Sequence, residues 1–452
     1  MAGEITIEVL LPLLRLPRVF LLGIVMFTAV RTRLSLSACI AILSLNPNVR
    51  GDESWPAFRG PSGDGIVRSG AKLPLQWSSE KNIDWRTELP GKGWSSPVCD
   101  DGRIYVTTAI PAESAEGAEQ VAKEFSLSLL VIDAASGELL KTIPVMQQTK
   151  DRSPKIHSKN SHASPTPIID GDRIFVHFGY QGTACVSKQG EILWINRDLY
   201  FSPQHGNGGT PILVDNLLIF TCDGDKEPKI VALHADTGEL AWQTLRMIFS
   251  IRTFSFATPT LIEVDGQKQV VAPGSDCVFG LDPKTGETIW DVRYDGYSVI
   301  PKPIFHRGLV FVSTSYDSSK LLAIRPTGTG VVTDTHIQWR SNKSVSKTPS
   351  MVAADGLIYW VSDDGIAMCA EAETGEIVYR KRIGGNFSAS LLMSGDRIYF
   401  TSEEGVTTVV RAGREFEVLA TNPIEERTLA SLGVFEDSIL LRTADALYRI
   451  SQ

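Results

Sequence analysis

The chain has 452 residues, 43% of them hydrophobic and 21% charged, with 38 Gly and 24 Pro. That balance excludes a disordered or collagen-like protein and provides a large core with many turns. A net charge of −8 with no local run of Lys and Arg gives a phosphate backbone nothing to bind and argues against nucleic acid as a partner.

Residues 1–51 are apolar and basic, and they read as a signal or targeting segment. "VFLLGIVMFTAV" (19–30) precedes Arg31 and Arg33, and "LSLSACIAILSL" (34–45) follows them. With translation starting at Met26, "MFTAVRTR" is a positive leader, 34–45 the apolar stretch, and "NVRG" the small-residue region before a cut near Gly51. An anchor over 8–30 is disfavoured, because Arg15, Pro17 and Arg18 leave only 12 uninterrupted residues, too few to span a bilayer. "LSAC" (36–39) resembles a lipoprotein box, but arginines stand just before it and an apolar run follows, so a lipid anchor at Cys39 is not expected. The expectation is an exported monomer, in the periplasm or on the cell surface, with no transmembrane span in the mature chain.

Residues 52–75 precede the first repeat. Their "WPAFRGPSGDG" (55–65) has three glycines and an arginine, but lacks the order of a phosphate loop and follows no strand. It is expected to pack on the main domain through Trp55 and Phe58.

From residue 76 onward one unit repeats. "LLVIDAASGELLKTI" (129–143), "VALHADTGELAWQT" (231–244), "VFGLDPKTGETIWDV" (278–292) and "AMCAEAETGEIVYRK" (367–381) share a strand, a turn and a second strand, and "TACVSKQGEILWIN" (183–196) is a variant. Trp194, Trp242, Trp290 and Trp339 are spaced by 48, 48 and 49 residues, the period of a propeller blade. Each unit also carries an upstream half, such as "ASPTPIIDGDRIFVHFG" (163–179), whose dense apolar residues fit strands buried on both faces. Eight such halves start near Pro97, Pro165, Pro211, Pro259, Pro303, Pro349, Ser388 and Ala430.

The pattern predicts an all-β, eight-bladed propeller of four-stranded antiparallel blades over 76–452. The last half (429–451) runs out after three strands, whereas "NIDWRTELPG" (82–91) is an orphan strand carrying Trp85. These two are expected to complete one blade and so close the ring without an open sheet edge. In 232–242, Asp236 is expected to cap the turn, Gly238 to supply its positive φ, and Trp242 to fill the wedge between blades; Gly286, Trp290, Trp194, Trp339 and Trp85 carry the same structural roles.

"DPKTGETIW" (282–290) resembles the tryptophan docking repeat of the quinoprotein alcohol dehydrogenases. In 232–242 His234 stands where the first Asp of that repeat belongs. The resemblance implies an eight-bladed propeller with a pyrroloquinoline quinone (PQQ) at the axis, under a disulfide of adjacent cysteines and beside a calcium held by Glu, Asn and Asp. The cysteines at 39, 99, 185, 222, 277 and 369 include no adjacent pair, so PQQ is not supported and no cofactor is expected. "CDGDKEP" (222–228) could suggest calcium through Asp223, Asp225 and Glu227, but it reads as a hairpin turn, and no metal site is assigned. More extensively, "WPAFRGPSGDG", "NSHASPTP" (160–167), "HGNGGTP" (205–211) and "LLAIRPTGTGVVTDTHIQW" (321–339) resemble the exported bacterial PQQ-like repeat propellers, a group similar in fold to the assembly factor BamB.

Inter-blade loops gather the polar residues, which makes His162, His205, Asn207, Arg252, Tyr297, Lys302, Lys347 and Asn386 the candidate ligand-binding set. No catalytic residue is assigned. The reading is a binding or assembly scaffold of the cell envelope whose ligand, an envelope protein or an acidic glycan, sits at the channel mouth. The alternative is a polysaccharide lyase, with His162 or His205 and Tyr297 as acid and base and Arg252 or Lys302 neutralising a uronate. A PQQ-dependent dehydrogenase is a third, disfavoured reading.

Overall fold

Short apolar runs joined by tight turns pair most readily with their sequence neighbours, so each repeat folds as an antiparallel meander. The computed structural model describes residues 54–112, 124–199, 201, 203–224 and 226–452. Residues 1–51, expected from the sequence to be a targeting segment and including Met26 and Cys39, lie outside them, as does Asp225. The described residues form eight sheets, the blades of a propeller. The inner strands of blades 1 to 8 are Val98–Asp100, Ile168–Asp170, Ile212–Val214, Thr260–Val264, Ile304–His306, Val352–Ala354, Leu392–Ser394 and Gly433–Phe435.

The two ends of the propeller meet in blade 8. Its outer strand is Ile83–Glu88, antiparallel to Ala446–Ile450 with Thr87 opposite Leu447. A second tie comes from Ile66–Val67, which runs parallel to the inner strand of blade 7 with Ile66 opposite Met393. The apolar core is divided into wedges between blades. One holds Leu129 and Val131 of blade 1 against Ile174 and Val186 of blade 2, and another holds Phe311 of blade 5 against Ile358 and Met368 of blade 6. Middle strands such as Leu309–Ser313 are buried along their whole length, because both faces of a blade meet a neighbour.

On the outer strands, tryptophan indoles dock onto the turn of the next blade. Trp85, Trp194, Trp242 and Trp339 donate Nε1–H to the carbonyls of Ala134, Ala235, Pro283 and Ala372 at 2.9–3.1 Å. The ring faces press on Gly137, Gly238, Gly286 and Gly375, all at φ of +73° to +75°. Glycine is needed at these turns for its backbone conformation and because a Cβ would enter the neighbouring ring.

Two residues of this pattern differ from expectation. Trp290 does not dock on blade 5; it is fully buried, bonds Gln269 Oε1 of its own blade at 2.8 Å, and lies over Gly280. The cause is the longer connection 325–336 of blade 5, which replaces the glycine turn and sends Gly330–Val331 back along Trp290–Asp291 as a fifth strand of blade 4. Asp236 does not cap its turn. Its carboxylate binds Arg173 Nη1 at 2.5 Å and Asn216 Nδ2 at 2.8 Å, whereas in blade 4 the capping acceptor is Asp282, bonded to the N–H groups of Lys284 and Thr285. His234 occupies that capping position in blade 3, so Asp236 falls two residues too late.

Gly375→Ala should cost about 2 kcal/mol more than the αL strain of about 1 kcal/mol, because its Cβ would stand 2.6 Å from Trp339 Cδ2. Gly395→Ala, with open space around it, should lose the strain alone; urea unfolding of the two variants checks the difference. Deleting residues 76–90 should abolish the single cooperative melting transition, and a truncated chain that melts like the full one contradicts closure through blade 8.

Candidate functional site: the axial cavity

The residue two places before each inner strand, or close to it, faces the propeller axis. In seven blades it carries a hydroxyl: Ser96, Thr166, Thr210, Thr258, Ser350, Ser390 and Ser431. In blade 5 it is Lys302. These side chains bond around the axis in two arcs. The N–H of Ser96 donates to Thr166, Thr166 to Thr210 and Thr210 to Thr258, each at 3.0 Å. The N–H of Lys302 donates to Ser350, Ser350 to Ser390 and Ser390 to Ser431, at 2.9–3.1 Å. Proline after several of these residues holds them extended, which aims each hydroxyl at the next blade.

Within this ring lies a cavity of about 560 Å³, with Phe58 of the N-terminal segment on its wall. An aromatic arc runs round one side of its mouth. His157 and His205 are 5.5 Å apart, His205 and Phe254 5.4 Å, Phe254 and Tyr297 5.6 Å, and Tyr297 and Tyr316 6.1 Å between ring centroids. Cations cover the arc: Arg252 lies 4.5 Å over Tyr297 and Lys347 5.3 Å over Tyr316, while Arg427 lies 5.6 Å over Trp94 across the mouth. Arg252 and Tyr297 share Asp317, at 3.3 and 3.5 Å. Lys159 is held by Glu403 at 2.7 Å.

Of the candidate set, His205, Arg252 and Tyr297 line this cavity, and Lys347 joins its rim through Tyr316. The other four stand elsewhere. His162 packs on Phe125 at 4.5 Å, and burial pushes its imidazole down to about 4. Asn207 donates to the carbonyl of Phe178 at 3.4 Å and fills the space beside Gly179. Asn386 is bound by Glu404 at 2.8 Å. Lys302 is buried with its ammonium against Gly63 and does not reach the mouth. Desolvation, then His157 and Lys155, lowers the His205 imidazole below its usual value. Sequence reasoning did not single out Phe254, Tyr316 and Trp94. Their signal was an aromatic residue in each of several inter-blade loops, which becomes a pattern only after the loops are stacked around one axis.

Neither the quinone nor its calcium fits these residues. Cys99, Cys185, Cys222, Cys277 and Cys369 are buried, unpaired thiols. Among the described residues no group of three or more His, Cys, Asp or Glu is placed to hold a metal ion. Asp223 of the acidic turn is instead committed to Arg246, 3.0 Å away, with both side chains fully buried. Arg246 also donates to the carbonyls of Ala272 and Pro273 in blade 4. Asp223→Ala should therefore cost about 3–5 kcal/mol by leaving the guanidinium unpaired, and added calcium should leave the melting temperature of the unaltered protein unchanged.

The fold and its axial cavity define an eight-bladed propeller of the PQQ-repeat class. Residues 60–196, 109–244 and 331–415 match the PQQ_2 family, outer membrane protein assembly factor BamB, and together they span more than half of the chain. The chain belongs to that family. It is similar in structure to BamB from Moraxella catarrhalis, with a TM-score of 0.56 and 14% identity over 82% of this chain and 97% of that one. A europium-containing methanol dehydrogenase superimposes with a TM-score of 0.60 and 9% identity, covering 90% of this chain and 99% of that one. The quinohemoprotein alcohol dehydrogenase from Comamonas testosteroni gives 0.52 and 10%, over 88% and 80%. At these identities the structural likeness speaks for the fold alone. No curated protein matches the sequence significantly.

Proposed function

We propose that the protein is an exported, non-catalytic scaffold of the bacterial cell envelope that takes an acidic segment of an envelope protein into the mouth of its axial cavity. Membership in the BamB family and the absence, among the described residues, of a helix long and apolar enough to cross a membrane are in keeping with this reading. The observation that carries it is the aromatic arc His205, Phe254, Tyr297 and Tyr316 under Arg252 and Lys347. Aromatic faces give rigid contact area at low entropic cost, and cations beside them favour a carboxylate-bearing partner. A rim charge of this kind acts on association rate and salt dependence.

A lyase is the second reading, because His205, Tyr297 and Arg252 share one cavity. The geometry favours it less, since the Tyr297 hydroxyl, the acid or base of that reading, donates to Asp317 at 3.5 Å and its ring is covered by Arg252. Incubation with acidic glycans, followed by the absorbance of an unsaturated product, separates the two readings; the scaffold predicts no product.

The scaffold itself is tested by cross-linking the protein in intact envelopes. Arg252→Glu and Tyr297→Ala should each lower the yield of the specific protein adduct about tenfold, equivalent to about 1.4 kcal/mol. Glu263→Ala, on the inner strand of blade 4 away from the mouth, should leave it unchanged. Equal yields from all three variants would overturn the proposal, and an adduct with glycan alone would transfer the site to that ligand.

A further inference from the structure

The segment that follows Trp55 lies in the channel. The Pro56 carbonyl accepts from Ile169 of blade 2, Trp55 pairs with Cys99 of blade 1, and the Gly65 carbonyl accepts from Met393 of blade 7. Between these ties, Arg59 is buried, at 2% exposure. Its Nη2 donates to the carbonyls of Asp64 and Met351 at 2.5 and 2.6 Å, while Nε and Nη1 are buried without a hydrogen-bond partner. Lys302, at 5% exposure, packs against the same turn, its ammonium at Gly63 and the Arg59 guanidinium at Gly65, and feels the charge of Arg59.

The charges do not balance. The carboxylate near both cations is Asp64, and it is already engaged by Arg68 at 2.5 Å and by the N–H of Ile66 at 3.1 Å. A buried guanidinium cannot shed its proton, and a buried charge requires a partner. A buried ammonium can become neutral instead, and desolvation, followed by the nearby Arg59, lowers Lys302 to about 7, against the opposing pull of Asp64. An ammonium in place of the hydroxyl common to the other seven ring positions, beside an incompletely bonded guanidinium, suits a negative guest.

We propose that the channel plug binds a small inorganic anion, held by Arg59 and Lys302. This site is distinct from the cavity mouth and does not depend on what binds there. The anion supplies the acceptors that Arg59 Nε and Nη1 lack and keeps Lys302 protonated. Without it, the folded state disfavours the Lys302 proton, so stability rises with pH between about 7 and the ordinary lysine range. With it, that slope flattens.

The test uses the mature chain in a bulky sulfonate buffer, titrated at constant ionic strength with sodium bromide or with sodium phosphate. At pH 6 one of the two should raise the melting temperature saturably, and the dissociation constant should increase about tenfold at pH 8.5. Bromide specificity would define a halide site and phosphate specificity an oxyanion site; either supports the proposal. Lys302→Ser restores the hydroxyl found at the other seven positions, so it should fold. It should weaken binding at least tenfold and remove the pH dependence. If bromide is the guest, an anomalous peak beside Arg59 in crystals soaked in it locates the site without relying on a variant. No saturable shift with either anion, or an unchanged shift in Lys302→Ser, overturns the proposal.

Discussion

The pairing of Ile83–Glu88 with Ala446–Ile450 is the constraint on which the remaining structure rests. A propeller blade has no stability of its own, since its two faces are apolar and each needs a neighbour. Eight blades satisfy one another only if the first meets the last. A covalent tie would be one solution, but the described cysteines are dispersed and buried inside the blades. The chain instead gives its N-terminal strand to the final sheet, so that backbone hydrogen bonds couple the ends. Closure also brings the eight lead-in residues to one axis, which makes the hydroxyl ring and the cavity possible.

Much of this architecture was legible because turn chemistry is local. The Gly and Asp of "DAASGE" or "DPKTGE" state a hairpin whatever surrounds them, and eight upstream halves recurring along the chain imply a closed ring. What escaped the sequence depends on non-local partners. Trp290 has the same local pattern as Trp242, but its partner turn in blade 5 is missing, so it points inward to Gln269. Asp236 has the right residue type two positions from the capping site, and it serves as an inter-blade partner of Arg173 instead.

The candidate site was legible only in part, for a related reason. Inter-blade loops were identifiable as the cavity rim, and His205, Arg252 and Tyr297 do line it. Loop residues alone, however, do not reveal which face inward. His162 turned to Phe125, and Asn386 to Glu404. Lys302 lay in the same loop stretch, yet the proline after it fixes it in the inner ring rather than at the mouth. The hydroxyl two places before the inner strand becomes a hydrogen-bonded ring only once neighbouring blades are placed side by side.

The central claim is that the aromatic and cationic mouth of the axial cavity is the working surface of this propeller. Backbone hydrogen exchange of the full chain, with and without its cross-linked envelope partner, tests it directly. The account predicts slowed exchange concentrated in 252–258, 297–300 and 347–350, with the outer strands unaffected. Protection confined to outer strands such as Ile192–Asn196 and Leu240–Leu245, with the mouth unchanged, would contradict it.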